Sequence, residues 1–196
     1  MTLRAALLRA VERPAPPSSD YDLNKDAEAP DRVLRDAGVL IAVVEAEVPR
    51  LILTKRSSAL KHHPGQISFP GGKVEDHDRD VIAAALREAD EEIALREVEV
   101  VGCLAPHVTV TGFNVVPVLG LVREGYSVRA DEEEVAEVFE VPLHHVLSPA
   151  NYLVESRLWR GKPRYYFTVP WGPYYIWGAT ARMLRALADR MADGPD

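Results

Sequence analysis

The sequence contains only one cysteine, Cys103, in 196 residues, so no disulfide can form within the chain. Because Cys103 lies in an apolar run, we expect a buried core thiol rather than a nucleophile. Structural disulfides persist in oxidising compartments, and their absence favours a reducing, cytoplasmic setting.

Positive charge is also scarce, since 23 Lys and Arg residues face 30 Asp and Glu residues, for a net charge of −7. This balance argues against a nucleic-acid backbone or an anionic membrane as the main partner. No stretch is long and apolar enough to span a bilayer. A negative protein that handles an anionic small-molecule substrate needs local cations or a bound metal to hold it.

The stretch from Phe69 to Leu95 joins a Pro-Gly-Gly turn to an amphipathic helix. The apolar residues of this helix recur at helical spacing, at Ile82, Leu86, Ala89 and Ile93. A second face carries three acidic residues: Glu88, Glu91 and Glu92. Like charges at this spacing repel by about 0.2–0.5 kcal/mol per pair, and the C-terminal half of a helix disfavours anions.

Two interpretations of the acidic face remain open. It is either an ordinary solvated surface or a site where carboxylates bind a divalent cation such as Mg²⁺ or Mn²⁺. The glycine turn just upstream favours the second interpretation, because glycines allow a phosphate to approach the backbone closely. Arg87 could also pair with Glu91 at the i,i+4 spacing and hold the carboxylates in place.

Residues 87–95, Arg-Glu-Ala-Asp-Glu-Glu-Ile-Ala-Leu, resemble the second half of the Nudix box, which would lie at about residues 72–95. The Arg-Glu-x-x-Glu-Glu core is intact. Ala94 occupies the position where the family has its final glycine. Gly72 and Asp78 each precede the first Gly and Glu positions of the box by one residue, as though the loop carried one extra residue.

A second motif precedes the box. Residues 52–57, Ile-Leu-Thr-Lys-Arg-Ser, together with Lys61, Gly65 and residues 69–72, resemble the signature found upstream of the box in coenzyme A pyrophosphatases. Lys61 stands where that subfamily has an arginine, so it keeps the charge but loses the bidentate fork. The two motifs are in register with each other.

The apolar runs predict the remaining elements. Residues 39–44 and 51–55 read as paired strands separated by a turn at Pro49, and residues 98–110 and 115–122 as further strands. Residues 152–169 predict a hairpin, residues 142–147 a short helix and residues 176–191 a terminal helix. This order indicates an α/β (α+β) protein, and the resemblance implies a Nudix-type α/β/α sandwich with a mixed sheet between helical layers. We expect the domain to span residues 32–196, preceded by an N-terminal helix and surface arm in residues 1–31.

The resemblance implies hydrolysis of the diphosphate bond of coenzyme A or a derivative, giving 3′,5′-ADP and 4′-phosphopantetheine, with Mg²⁺ or Mn²⁺ as cofactor. Glu88 and Glu92 would be the main metal ligands, Glu91 a further ligand or the base, and Arg87 would orient the carboxylates. The residues expected to bind substrate are Arg56, Ser57, Lys61, Gly65, Phe69, Gly71 and Gly72.

An acidic run at residues 131–134 has two interpretations. It reads mainly as a solvated helix start, favoured by the N-terminal dipole. Because superfamily members often carry a glutamate outside the box near the metal, Glu134 is a candidate base. Two other functions stay open: hydrolysis of ADP-ribose or another nucleoside diphosphate derivative, and nucleotide binding without catalysis. The aromatic cluster at residues 171–177 and the arm are candidates for a homodimer contact.

Overall fold

The computed structural model describes residues 2–24, 32–60, 63–159 and 161–192. Within these residues the strands are β1 (Ser18–Ser19), β2 (Arg35–Glu45), β3 (Arg50–Arg56), β4 (Ile67–Ser68), β5 (Gly71–Lys73), β6 (Glu99–Cys103), β7 (His107–Val108), β8 (Phe113–Arg123), β9 (Val135–Pro142), β10 (Leu153–Trp159) and β11 (Lys162–Thr168). The helices are α1 (Leu3–Glu12), α2 (Val81–Ile93), α3 (Leu143–Leu147), a 3₁₀ turn at Pro149–Asn151 and α4 (Gly178–Met191). None of these helices is long and apolar enough to cross a membrane.

The β-branched runs form the centre of a mixed sheet. β2 pairs in parallel with β8 from Arg35 to Glu45, and antiparallel with β3 across the turn at Pro49. The sheet runs β1-β7-β8-β2-β3-β4, with β5, β6 and β9 attached to β2, β8 and β3. β10 and β11 form a separate hairpin. The predicted fold class, central strands, hairpin and terminal helix are confirmed.

Alternate side chains of β2 point to opposite faces of the sheet and so build two apolar layers. Leu40, Ala42 and Val44 pack in one cluster with Ala85, Ala89 and Ile93 of α2. Ile41 and Val43 pack in the other cluster, with residues of α1, α3 and α4. The sheet therefore lies between α2 on one side and the other three helices on the opposite side.

Helix α2 approaches β2 closely because Gly38 lacks a side chain. A Cβ at Gly38 would lie 2.1 Å from the carbonyl oxygen of Val81, a separation that no real contact allows. The helix begins where Asp80 caps it, since Asp80 Oδ1 accepts a hydrogen bond from Ala83 N–H at 2.8 Å. These two contacts fix the start of α2 against the sheet.

The C-terminus of α2 makes a tight turn without the glycine that the Nudix box pattern has there. Ala94 adopts the left-handed conformation, with φ 55° and ψ 30°, and its N–H donates to the carbonyls of Ala89 and Asp90. A side chain in this conformation costs about 1–2 kcal/mol. The turn therefore forms as the resemblance implies, although Ala94 strains it.

The structure corrects two predictions. Residues 131–134 do not begin a helix, because β9 starts at Val135 and pairs antiparallel with β3. Val135, Phe139 and Val141 are buried at strand spacing. Cys103 is only half-buried, on β6 next to the α2 layer.

The N-terminal segment takes part in the fold. Leu7 of α1 is fully buried in the core cluster that includes Leu184 and Leu187 of α4. Residues 13–17 are exposed, as expected of a surface arm, but Ser18 pairs with β7. His107, itself fully buried, contacts Ser18 Oγ at 2.9 Å and Asp20 Oδ1 at 3.1 Å. Residues 25–31 of the predicted arm lie outside the described residues.

We predict that Ala94→Gly stabilises the protein by about 1 kcal/mol, because glycine adopts the left-handed conformation without strain. The midpoint of thermal unfolding should rise by about 2–4 °C for a chain of this size. The control is Ala186→Gly within α4, which should lower stability by about 1 kcal/mol. A lower midpoint for Ala94→Gly would contradict the conformation assigned to this turn.

Candidate active site

The acidic face of α2 meets β5 at two adjacent glycines. Gly71 N–H donates to Glu92 Oε2 at 3.2 Å. A Cβ at Gly72 would lie 2.3 Å from Glu88 Oε1, so the Glu88 carboxylate occupies the space that a side chain would take. The two carboxylates of α2 are therefore held against neighbouring residues of one short strand.

Burial and neighbouring negative charges raise the pKa of both carboxylates. The side chain of Glu92 is 3% exposed, and this burial raises its pKa to about 8, against the lowering effect of the Gly71 hydrogen bond. Burial is also the main cause of the raised pKa of Glu88. The negative charges of Glu91 and Glu134 also raise the pKa of Glu88, and those of Glu88 and Glu134 also raise the pKa of Glu92. The cluster holds more negative charge than its surroundings balance.

Arg87 connects the acidic face to the loop before the helix. Its Nη1 donates to Glu88 Oε1 at 3.1 Å and to Glu91 Oε2 at 2.7 Å. Its Nε and Nη2 bind Asp78 Oδ1 and Oδ2 at 3.1 and 3.0 Å, and Nη2 also reaches the Lys73 carbonyl. This bidentate pair with Asp78 is the main cause of the raised pKa of Arg87.

Sequence reasoning noted the spacing of Asp78 but gave it no function. The side chain of Asp78 is 3% exposed, and its hydrogen bonds from Arg87 lower its pKa to about 2. An aspartate is one methylene shorter than the glutamate of the box, and here it also comes one residue early. The signal available in the sequence was an acidic residue close to the first Glu position of the box; its ion pair with Arg87 is seen only in the structure.

The three box glutamates do not occupy equivalent environments. Glu91 is 60% exposed and is held by Arg87, whereas Glu88 and Glu92 turn toward β5. Across the described residues, no three Asp, Glu, His or Cys side chains are gathered closely enough to hold a metal ion by themselves. The arrangement is therefore a pair of inward carboxylates with Glu91 at its rim.

Glu134 lies on the loop that crosses the end of α2. Asp131 N–H donates to the Glu92 carbonyl, and the carbonyl of Glu134 accepts from Ser57 N–H at 2.8 Å. The residue is exposed, and its charge acts on both Glu88 and Glu92. The loop thus brings a further acidic side chain to the pair from a different part of the chain.

Arg56, at the end of β3, lies beside the same pair. Its Nη1 is 3.7 Å from Glu92 Oε1, and its side chain is partly exposed. Ser57 follows it, is buried, and binds the Glu134 loop through its backbone. Arg56 is therefore a predicted substrate-binding residue whose side chain contacts the acidic pair.

The other predicted substrate-binding residues have different positions. Gly65 is exposed, with φ +70° and no atom within 4 Å of an added Cβ. Phe69 is 2% exposed and packs in the core cluster that includes Ile67. Its side chain therefore anchors the start of the Pro-Gly-Gly turn in the core. Gly71 gives its N–H to Glu92. Lys61 lies outside the described residues.

The residues present fit a divalent cation. Glu88 and Glu92 offer oxygen atoms only, which is the donor set that Mg²⁺ and Mn²⁺ take. The raised pKa of both groups reflects buried negative charge that a bound cation would offset. The side-chain space at Gly72 is kept open for one of these carboxylates.

We predict that the metal-free protein loses stability as the pH rises from about 5 to 8. Because folding raises the pKa of Glu92 to about 8, the folded state holds a proton there that the unfolded state releases at lower pH. The slope should approach at most about 1.4 kcal/mol per pH unit. Denaturant unfolding in EDTA across this range measures it.

The matched variants are Glu92→Gln, which should flatten this slope, and Glu91→Gln, which removes an exposed carboxylate that is not among the causes of the raised Glu92 pKa and should leave most of the slope in place. An equal slope in the wild type and in Glu92→Gln would show that Glu92 does not titrate in this range.

Comparison with known proteins agrees with the residue pattern. Residues 34–160 match the NUDIX domain family. The chain is 46% identical over 156 residues to "Uncharacterized Nudix hydrolase NudL" of Enterobacter sp. (strain 638), covering 79% of this chain and 81% of that protein. It is 43% identical over 163 residues to the protein of the same name from Cronobacter sakazakii, covering 82% and 85%.

Solved structures similar to the chain include a binary complex of the C. elegans Ap4A hydrolase, with a TM-score of 0.48, 20% identity and coverage of 55% of this chain and 80% of that one. Another is the Nudix domain of Shewanella oneidensis NrtR complexed with ADP ribose, with a TM-score of 0.45, 20% identity and coverage of 65% and 84%. With the domain match, the close relatives and the Arg-Glu-x-x-Glu-Glu helix together, the chain belongs to the Nudix hydrolase family.

Proposed function

We propose that the protein hydrolyses the diphosphate bond of coenzyme A or one of its derivatives, releasing 3′,5′-ADP and 4′-phosphopantetheine. The observation that carries this proposal is the contact of Arg56, from the motif that resembles the coenzyme A pyrophosphatase signature, with the buried Glu92 of the Nudix box. The two motifs that are separate in sequence therefore meet at one site.

Glu88 and Glu92 would hold the cation, because their carboxylates are inward and incompletely balanced by positive charge. When bound there, Mg²⁺ or Mn²⁺ would polarise the phosphoryl oxygens and neutralise the negative charge of the diphosphate. Gly71 N–H fixes one oxygen of Glu92 and Arg87 binds one oxygen of Glu88. Each ligand therefore keeps its orientation before substrate arrives.

Arg87 would act through its neighbours. Its guanidinium joins Glu88, Glu91 and Asp78, and its side chain is mostly buried. Asp78 anchors the fork of the guanidinium with two hydrogen bonds, so the remaining nitrogen stays directed at the glutamates. Arg87 is in this account a positioning residue.

Arg56 would bind a phosphate oxygen of the diphosphate. Among the residues that the structure describes, its guanidinium makes no hydrogen bond, and its ion-pair partner Glu92 is 3.7 Å away. A guanidinium with free donors suits a phosphate, which it can bind through two parallel hydrogen bonds. Lys61 and Gly65 would extend the same surface toward the rest of coenzyme A, as the resemblance implies.

The attacking water needs a base at the rim of the pair. Glu134 and Glu91 are both exposed carboxylates next to the buried glutamates, and either would accept the proton of the water. Glu134 is the better candidate for the base, because its charge acts on both Glu88 and Glu92, whereas Glu91 is hydrogen-bonded to Arg87. We also propose residues 32–196 as the hydrolase domain, and a homodimer contact through the aromatic cluster at residues 171–177 and the N-terminal arm.

We predict that Glu92→Gln lowers kcat for coenzyme A hydrolysis by about a hundredfold or more in excess Mg²⁺, more than is usual for residues that only support a metal ligand. Glutamine can still accept the Gly71 hydrogen bond, so the fold should persist. A panel of coenzyme A, ADP-ribose and dinucleotides, with products identified by mass, tests the substrate. Turnover of Glu92→Gln at the wild-type rate would remove Glu92 from the mechanism, and preference for ADP-ribose would replace coenzyme A.

We predict that Gly72→Ala weakens Mn²⁺ binding by about tenfold or more, because the new Cβ would displace the Glu88 carboxylate. The backbone of Gly72 is not in the left-handed region, so the substitution adds bulk without backbone strain. Lys73→Ala, at the next and exposed position, is the control and should bind Mn²⁺ normally. Electron paramagnetic resonance of free Mn²⁺ measures both. Unchanged affinity in Gly72→Ala would exclude Glu88 as a ligand.

A further inference from the structure

A cavity of about 250 Å³ lies on the side of the sheet opposite α2. It opens between the end of α1, helix α4 and the loop after β6, and its lining includes Arg13, Ala186 and Arg190. None of its lining residues belongs to the site formed by α2, β5 and the Glu134 loop. It is therefore a separate feature of the molecule.

Arg190 is an unusual residue to find at this cavity. It is 9% exposed, and burial together with the nearby charge of Arg13 lowers its pKa. Its Nη1 donates to the carbonyls of Ala10 and Arg13 at 2.9 and 3.0 Å. Within the part of the chain that the structure describes, no carboxylate pairs with this guanidinium. A buried charge without a counter-ion is costly, and proteins normally pair it.

Arg13, at the end of α1, also donates to the last carbonyls of a helix, in this case α4. Its Nη1 donates to the carbonyls of Asp189, Arg190 and Ala192, so it caps the end of α4 while Arg190 caps the end of α1. It too has no carboxylate partner among the described residues. Two guanidinium groups therefore line the same cavity, and each uses a single nitrogen, Nη1, for the backbone.

In the part of the chain that the structure describes, the acidic groups beside the cavity are already engaged. Asp189 accepts from Arg185 at 2.8 Å, and Asp22 pairs with Arg182 at 2.8 Å. The charges cancel within each of these ion pairs, so the net positive charge of the described lining comes from Arg13 and Arg190. The cavity is therefore locally positive, although the net charge of the protein is −7.

The rest of the lining is largely apolar. It includes Pro14, Pro16, Leu104, Pro117 and Met183. Two arginines and an otherwise largely apolar lining together suit a ligand that has both an anionic group and an apolar group. Helix capping accounts for one nitrogen of each arginine, and it leaves Nε and Nη2 of both without a protein partner in the described residues.

We propose that this cavity binds a small oxyanion that carries a short apolar group, with Arg13 and Arg190 as its ligands. Two guanidinium groups can bind a phosphate or carboxylate through paired hydrogen bonds, and the anion would supply the missing counter-charge. The ligand would join the ends of α1 and α4, and it would stabilise the packing of the N-terminal helix on the domain. This site is independent of the proposed hydrolysis.

Phenyl phosphate, which joins a phosphate to an apolar ring, is the probe. The full chain is titrated in EDTA, and amide shifts are followed by ¹H–¹⁵N NMR. Saturable shifts should appear at residues 13–18, 104–105 and 182–190. Inorganic phosphate, without the ring, should bind at least about threefold more weakly if the apolar wall contributes. Shifts confined to α2 and β5, or shifts that do not saturate, would overturn the proposal.

Three variants complete the experiment. Ala186→Phe fills the cavity without removing a cap, and Arg13→Gln removes one ligand; each should raise the apparent Kd by at least about tenfold. Arg4→Gln removes the same charge from an exposed position of α1 that pairs with Glu99, and it should bind as the wild type does. Thermal midpoints of all variants establish that they are folded. Unchanged affinity in Ala186→Phe would place binding elsewhere and contradict the proposal.

Discussion

The structure depends on holding two carboxylates out of water, where Arg87 and Arg56 only partly balance the negative charge around them. Glu92 is almost completely buried and Glu88 largely so, and burial is the main reason that the pKa of each is raised. A protein keeps such groups together only when other interactions fix them. Here the fixed elements are β2, β5 and α2. Gly38 allows α2 to approach β2 closely, Gly71 allows β5 to approach β2, and Gly72 leaves room beside β5 for the Glu88 carboxylate.

Arg87 and Asp78 transmit this constraint to the loop before the helix. The arginine distributes its donors over two glutamates, one aspartate and one carbonyl, so the loop and the acidic face have a common anchor. Asp78 makes its contact with Arg87 although it lies one residue before the first Glu position of the box pattern.

Much of this could be predicted from the sequence because it is local. The strands follow β-branched runs, α2 follows its helical period, and the glycines mark the close approaches. What could not be predicted depends on distant partners. β9 pairs with β3, and that pairing overrides the helix suggested by the acidic run at residues 131–134. Phe69 is buried by side chains that come from elsewhere in the chain.

The unequal roles of the three glutamates have the same origin. Helical spacing places Glu88, Glu91 and Glu92 on one face, but only contacts with β5 and Arg87 decide which of them turn inward. Likewise, the N-terminal segment joins the fold through His107 and Ser18, which lie 89 residues apart. The most direct test of the account is the anomalous difference map of a crystal soaked in Mn²⁺. The account predicts a peak about 2.0–2.2 Å from oxygens of both Glu88 and Glu92. A map with no peak there, or with manganese bound only elsewhere, would contradict it.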